Sequence, residues 1–207
     1  MPIRPPVSTM ALFNTLFGAR PANDRRARVL ASGTAQRAAE LLRSSTALLN
    51  LSEQEALTVV GYMQLRRCAE GEAIIRQGDS GGSGDDGFMA LVVEGEVTVE
   101  TLNVSRVDAQ TVNVLGPGHL MGEMSLMDGA ARSATCTAST AVRCAVLTRE
   151  SLEALVTEEP ATAAKLLSGV ALRLSRRLRE ADGKLQLYSQ LVFSMQQEID
   201  RLVPDPE

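Results

Sequence analysis

Pro117-Gly-His-Leu-Met-Gly-Glu-Met-Ser-Leu-Met-Asp-Gly-Ala-Ala-Arg-Ser-Ala134 is the stretch on which the reading of this 207-residue chain turns. A strand ends at Met121, and Gly122 permits close backbone approach. Glu123–Met127 then makes a helical turn, which Asp128-Gly129 breaks. The exposed N–H groups of a first helical turn favour an anion. Arg132 follows nine residues after Glu123, where the chain re-enters a strand, and a guanidinium fork neutralises a phosphate bidentately. Glu123 is tolerable beside a phosphate only if its carboxylate accepts sugar hydroxyls instead. One arginine, one acid and one helix N-terminus describe a pocket for a sugar ring carrying a single phosphate charge.

Around this stretch, short apolar runs alternate with Gly-rich turns. They predict strands at 65–68, 73–76, 88–93, 96–101, 111–115, 133–138 and 142–147, which suggests a small sandwich or barrel. Ser80–Gly87 is too Gly-rich to pack and reads as a flexible loop. Two helices precede the strands, the first over Thr34–Ala47. The second opens on a capping box, Ser52 with Glu55. A short helix over Arg149–Val156 follows the last strand, and Pro160 opens a long one reaching about Leu202.

Along that helix apolar residues recur at 167, 171, 174, 178, 181, 185, 188, 192, 195, 199 and 202. The 4, 3, 4, 3 spacing keeps one stripe facing a partner helix. With Leu167 at d, branched Val192 and Ile199 fall at a and Leu174 at d, which favours a parallel dimer. In that register Arg177 (g) is expected to pair with Asp182 (e) of the other copy.

Net charge is −4 but uneven: residues 1–33 carry +4 and residues 34–148 carry −6. An acidic body repels phosphate backbones, so nucleic acid is not an expected partner. The basic leader, 1–33, contains Met10, Phe13 and Phe17 on one helical face and the Arg25-Arg26-Ala27-Arg28 cluster. No run approaches the length of a membrane span. The single histidine, His119, in a Pro-Gly turn, leaves no base for a nucleophile and no metal cluster, so an enzyme is not expected. Cys68, Cys136 and Cys144 lack metal-like spacing, and their odd number suits buried thiols in a reducing, cytoplasmic compartment.

The segment Gly122-Glu-Met-Ser-Leu-Met127, followed by Ala131-Arg-Ser-Ala134, resembles the phosphate-binding cassette of cyclic-nucleotide-binding domains. Gly71-Glu72-x-Ile74-Ile75-x-Gln77-Gly78-Asp79 and Val92-x-Glu94-Gly95-Glu96-Val97-x-Val99 are similar to the strand–turn signatures of the same family, and Leu174-Ser-Arg-Arg-Leu178 resembles the dimer helix of its catabolite-activator branch. The resemblance spans roughly Leu48 to Leu187. It departs from the family at Met121, usually aromatic, and at Ala131, usually proline.

The resemblance implies an α+β fold: a jelly-roll-like double-stranded β-helix sandwich with N-terminal helices and a long C-terminal dimerisation helix. It divides the chain into a leader (1–33), a binding domain (34–159) and a dimerisation helix (160–203). It assigns Glu123 to the ribose 2′-hydroxyl, Arg132 to the cyclic phosphate and Ser133 to the phosphate or base. Backbone N–H groups near Met124 and Ser125 complete the cradle, and Gly122 gives clearance. The base is expected against Leu178–Leu185, where Asp182 could accept from its amino group, although the coiled-coil role explains Asp182 equally well. The expected ligand is cAMP, with cGMP the alternative. No winged helix-turn-helix follows before Glu207, so the expected protein is a sensor that signals as a homodimer through an unidentified protein partner. Competing readings are a cyclic-dinucleotide sensor, an interaction module that has lost its ligand, and a DNA-binding regulator acting through the leader.

Overall fold

The apolar runs Phe88–Glu94 (β3) and Val142–Thr148 (β8) leave almost no polar position, a pattern that calls for burial on both faces. The computed structural model describes residues 30–44, 47, 49–80, 87–102 and 109–202. In it β3 and β8 pair antiparallel at the centre of a four-stranded sheet. Gln64–Cys68 (β1) and Leu120–Met121 (β6) form its edges. Successive side chains of a strand point to opposite faces. Phe88, Ala90 and Val92 accordingly face the second sheet, while Met89, Leu91 and Val93 lie under the helices. The second sheet is built from Ala73–Ile75 (β2), Val97–Leu102 (β4), Ala109–Leu115 (β5) and Thr135–Ala138 (β7). Its order is β2-β7-β4-β5, and its pairings are antiparallel. In β7, Cys136 and Ala138 are buried while Thr135 and Thr137 are partly exposed, so this sheet is covered on one face only. Two antiparallel sheets with flanking helices make the α+β sandwich that the sequence implies.

The helices start where side-chain caps supply oxygen acceptors. Ser32 caps α1 (Gly33–Leu42), and the Ser52–Glu55 box caps α2 (Glu53–Gly61) as expected. Helix α1 is shorter than the expected Thr34–Ala47: the Ser44 hydroxyl donates to the Leu41 carbonyl at 2.6 Å and closes the chain into a turn. A short helix, α3 (Glu123–Asp128), lies between glycines 122 and 129, both in the left-handed region. Thr148 caps α4 (Arg149–Glu158), and α5 runs from Pro160 to Leu202.

Helix α5 divides into two parts. Ala163, Leu166 and Val170 are buried against α2, α4 and the outer face of the first sheet. From Leu178 onward the heptad stripe is exposed, Leu185, Val192 and Leu202 included. A clasp holds the base of the helix, where Lys165 Nζ meets Glu55 of α2 at 2.6 Å. The three cysteines are free and buried, as expected. The leader's Phe13/Phe17 face, its arginine cluster and residues 81–86 lie outside the described residues.

Candidate functional site

A cavity of about 370 Å³ lies between the second sheet, α3 and the middle of α5. Its volume falls within the range of small-molecule sites. Ile75, Leu115, Met121 and Cys136 give it an apolar floor, and the polar groups come from the 122–133 stretch and α5.

Gly122 sets the entrance to α3. Its φ is +78°, and an added Cβ would stand 2.8 Å from both Arg132 Nη1 and the Phe88 carbonyl oxygen. Only glycine fits both the dihedral and the space. Arg132, 5% exposed, donates from Nη1 to the Phe88 carbonyl at 2.8 Å and to the Gly122 carbonyl at 3.0 Å. Its guanidinium carbon lies 4.5 Å from the centre of the Phe88 ring, close enough for a cation–π contact. The clearance at Gly122 is therefore clearance for the arginine.

Glu123 is 2% exposed, and a buried acid needs a polar partner. Arg177 of α5 supplies it, with Nη1 2.6 Å from Glu123 Oε1. The guanidinium expected to pair with Asp182 of a second copy is thus engaged within its own chain. One turn earlier, Arg173 Nη2 donates to the Leu120 carbonyl at 3.0 Å. Burial holds the Arg173 guanidinium below its ordinary pKa, and the Glu123 charge acts in the opposite direction. Two arginines thus fasten α5 to the cavity rim.

Met124, Ser125 and Ser133 also line the cavity, and the Ser133 hydroxyl lies 4.0 Å from the Met124 sulfur. Asp182 does not line it. Arg177, Glu180, Ala181 and Lys184 recur at i, i+3, i+4 and i+7 on one helix face, and Asp182 stands about 100° around from Ala181. Glu180 and Lys184 lie outside the sequence motif and join the site only through this helical spacing from Arg177. Burial pushes the Cys136 thiol up to about 11, so at neutral pH it is protonated and a poor nucleophile. His119 is partly buried, with Nδ1 3.0 Å from the Gly116 carbonyl. Among the described residues no group of three His, Cys, Asp or Glu side chains could hold a metal. Among them, too, no helix is long and apolar enough to cross a membrane.

The two-sheet roll, with an arginine and a buried acid flanking a short helix, frames a cavity of the size that takes a small ligand. Residues 65–159 match the family model described as the cyclic nucleotide-binding domain, and this part of the chain is similar to that family. It is similar to the cyclic AMP receptor protein of Thermus thermophilus, with 35% identity over 148 residues, 72% of this chain and 64% of that protein. The crystal structure of the Thermus thermophilus catabolite activator protein aligns with a TM-score of 0.61 and 34% identity, covering 70% of this chain and 63% of that one. A cyclic nucleotide-binding domain from Methylobacillus flagellatus aligns at 0.64 and 28% identity, covering 74% and 83%. The chain therefore spans under two thirds of the Thermus relatives.

Proposed function

We propose that this protein is a cyclic-nucleotide sensor, with cAMP the leading ligand and cGMP the alternative. The observation that carries the reading is the placement of Arg132 and Glu123 on one cavity at opposite ends of a 10-residue stretch preceded by Gly122. A cyclic phosphate offers Arg132 a charge-assisted pair stronger than its bonds to two neutral carbonyls. Ser133 and the backbone N–H groups near Met124 and Ser125 complete the phosphate cradle. Glu123 accepts from the ribose 2′-hydroxyl, and Arg177 neutralises the carboxylate from behind. The base rests against α5, where Glu180 is an acceptor and Lys184 a donor for its edge.

The sensor acts as a non-enzymatic cytoplasmic regulator. Binding shifts the balance between two arrangements of α3 relative to α4 and α5, by no more than the ligand's differential affinity for them. The exposed heptads of α5 hold a parallel homodimer and present the response to a protein partner. A kinase regulatory subunit from Toxoplasma gondii, solved with cAMP, shares the fold at 29% identity and a TM-score of 0.51, and supports adenine as the base.

Calorimetry with cAMP and cGMP tests the reading on the wild-type chain and on R132A. Saturable 1:1 binding that R132A abolishes is the expected result. Wild-type protein that binds neither nucleotide, or R132A that binds as tightly as wild type, overturns it.

A further inference from the structure

Two arginines tie both ends of α3 to the start of β3, and only one of them lines the cavity. At the N-terminal end, Arg132 Nη1 bridges the Gly122 and Phe88 carbonyls. At the C-terminal end, Arg149 Nη2 donates to the Ser125 carbonyl at 3.0 Å, while the Arg149 backbone N–H donates to the Gly87 carbonyl at 2.8 Å. Arg149 is also the first residue of α4. A cation is electrostatically misplaced at that position, because the first turn of a helix carries the positive end of the dipole. Its side chain instead reaches the carbonyl end of α3, where a cation is favoured. The Ser125 carbonyl it meets also closes the α3 C-cap by accepting from the Gly129 N–H at 3.0 Å.

We propose that Arg149 is the positioning residue about which α3 turns when a ligand arrives, and that it passes this turn into α4 and α5. The inference rests on the nucleotide-sensor reading. A phosphate captured by Arg132 competes with the Gly122 and Phe88 carbonyls and loosens the N-terminal tether. Arg149 has no place on the cavity wall, so its bond to Ser125 persists. Helix α3 therefore tilts about its C-terminal end rather than shifting as a unit. Arg149 begins α4, and α4 leads directly into α5 through the Glu159 N–H bond to the Leu155 carbonyl and the Ala163 N–H bond to the Glu159 carbonyl. Displacement of the pivot is thus displacement of the arm.

The test is amide hydrogen exchange of residues 149–202 in the full chain, with and without saturating cAMP, alongside calorimetry. Wild-type protein is expected to bind and to change its exchange in α4 and α5. Arg149→Met keeps the aliphatic stem and removes the donor. It is expected to bind cAMP within about threefold of wild type, a small part of the usual range of allosteric coupling, and to lose the exchange change. Arg149→Lys, which retains a donor, is expected to restore at least part of it. An undiminished exchange response in Arg149→Met overturns the pivot while leaving the sensor reading intact. If Arg149→Met does not fold, Arg149→Gln carries the same comparison: its amide ends two bonds short of the Arg149 Nη atoms and does not reach the Ser125 carbonyl, so an undiminished response there overturns the pivot. Wild-type protein that binds no cyclic nucleotide fails the sensor reading, and the pivot falls with it.

Discussion

Gly122 and Arg132 are fitted to one another: the arginine's Nη1 donates to the glycine's carbonyl at 3.0 Å, and a Cβ on that glycine would approach the same nitrogen to 2.8 Å. Gly122→Ala therefore meets two penalties. The left-handed backbone costs a non-glycine residue about 1–2 kcal/mol. The methyl group also pushes Arg132 away from its carbonyls. The expected result is a melting temperature lower by about 2–4 °C per kcal/mol for a chain of this size, with cAMP affinity falling as well. Differential scanning calorimetry and titration calorimetry check the two. An alanine variant with unchanged melting and binding would show that the glycine is dispensable.

Glu123 tests the sugar. The hydrogen bond from a ribose 2′-hydroxyl to a charged acceptor is worth about 1.5–3 kcal/mol, or roughly ten- to hundredfold in Kd. Glu123→Gln should lose affinity on that scale for cAMP. Its loss for 2′-deoxy-cAMP should be much smaller, because the bond is already absent. Equal losses for both ligands would mean that Glu123 serves only to hold Arg177.

The base end separates the helix faces. Glu180 lines the cavity and Asp182 does not. A single hydrogen bond contributes about 0.5–1.5 kcal/mol net, so Glu180→Ala should weaken cAMP by roughly two- to tenfold and alter the cAMP-to-cGMP ratio. Asp182→Ala should leave both unchanged. Competition binding with the two nucleotides distinguishes these outcomes, and the opposite pattern would return the base to Asp182.

Much of the fold could be read from local rules, because they agree with the tertiary solution. The Ser52–Glu55 box starts α2 at the expected place. Phe88–Val93 is buried on both faces, as its unbroken apolar run demands. Pro160 and Leu202 bound α5 as expected. Three features escaped because they depend on contacts across the chain. The end of α1 is decided by a Ser44 hydroxyl rather than by periodicity. Arg177 looks like a heptad flank, and nothing local shows that Glu123, 54 residues earlier, is buried and needs it. Asp182 and Glu180 are equally acidic and close in sequence, and only the rotation of α5 against the sheet separates them.

The α2–α5 clasp makes a pH prediction. The hydrogen bond from Lys165 is the largest cause lowering the Glu55 carboxyl from 4.5 to about 2, and the backbone bond from Ser52 adds to it. A depressed carboxylate stabilises the folded state fully above its unfolded value, and that contribution is lost as pH falls toward the folded one. Glu55→Gln retains a side chain that can complete the capping box but has no charge for Lys165. Urea unfolding should show wild type more stable than Glu55→Gln at pH 6–7, with the difference shrinking between about pH 4.5 and 2. A difference that is constant through this window would mean that the Lys165 contact does not hold in solution.

The distal half of α5 exposes Leu178, Leu185, Val192, Ile199 and Leu202 at 52–71% of their surface. Helices without tertiary packing are marginal in water, and among the described residues nothing covers this stripe. Arg177 is already paired with Glu123 of its own chain, so the seam between two copies is best tested at its apolar positions. Their 3.5-residue spacing is that of a seam for a partner helix, and the proposed homodimer would associate through it. Val192→Asp places a carboxylate at a central a position and should convert a dimer to a monomer in analytical ultracentrifugation. It should also lower helical circular dichroism while leaving cAMP affinity nearly unchanged, since Val192 lies two turns beyond Lys184, the last α5 residue on the cavity. Wild-type protein that sediments as a monomer at micromolar concentration, or a variant that remains dimeric, would remove α5 as the dimer interface and leave its apolar stripe for a different protein.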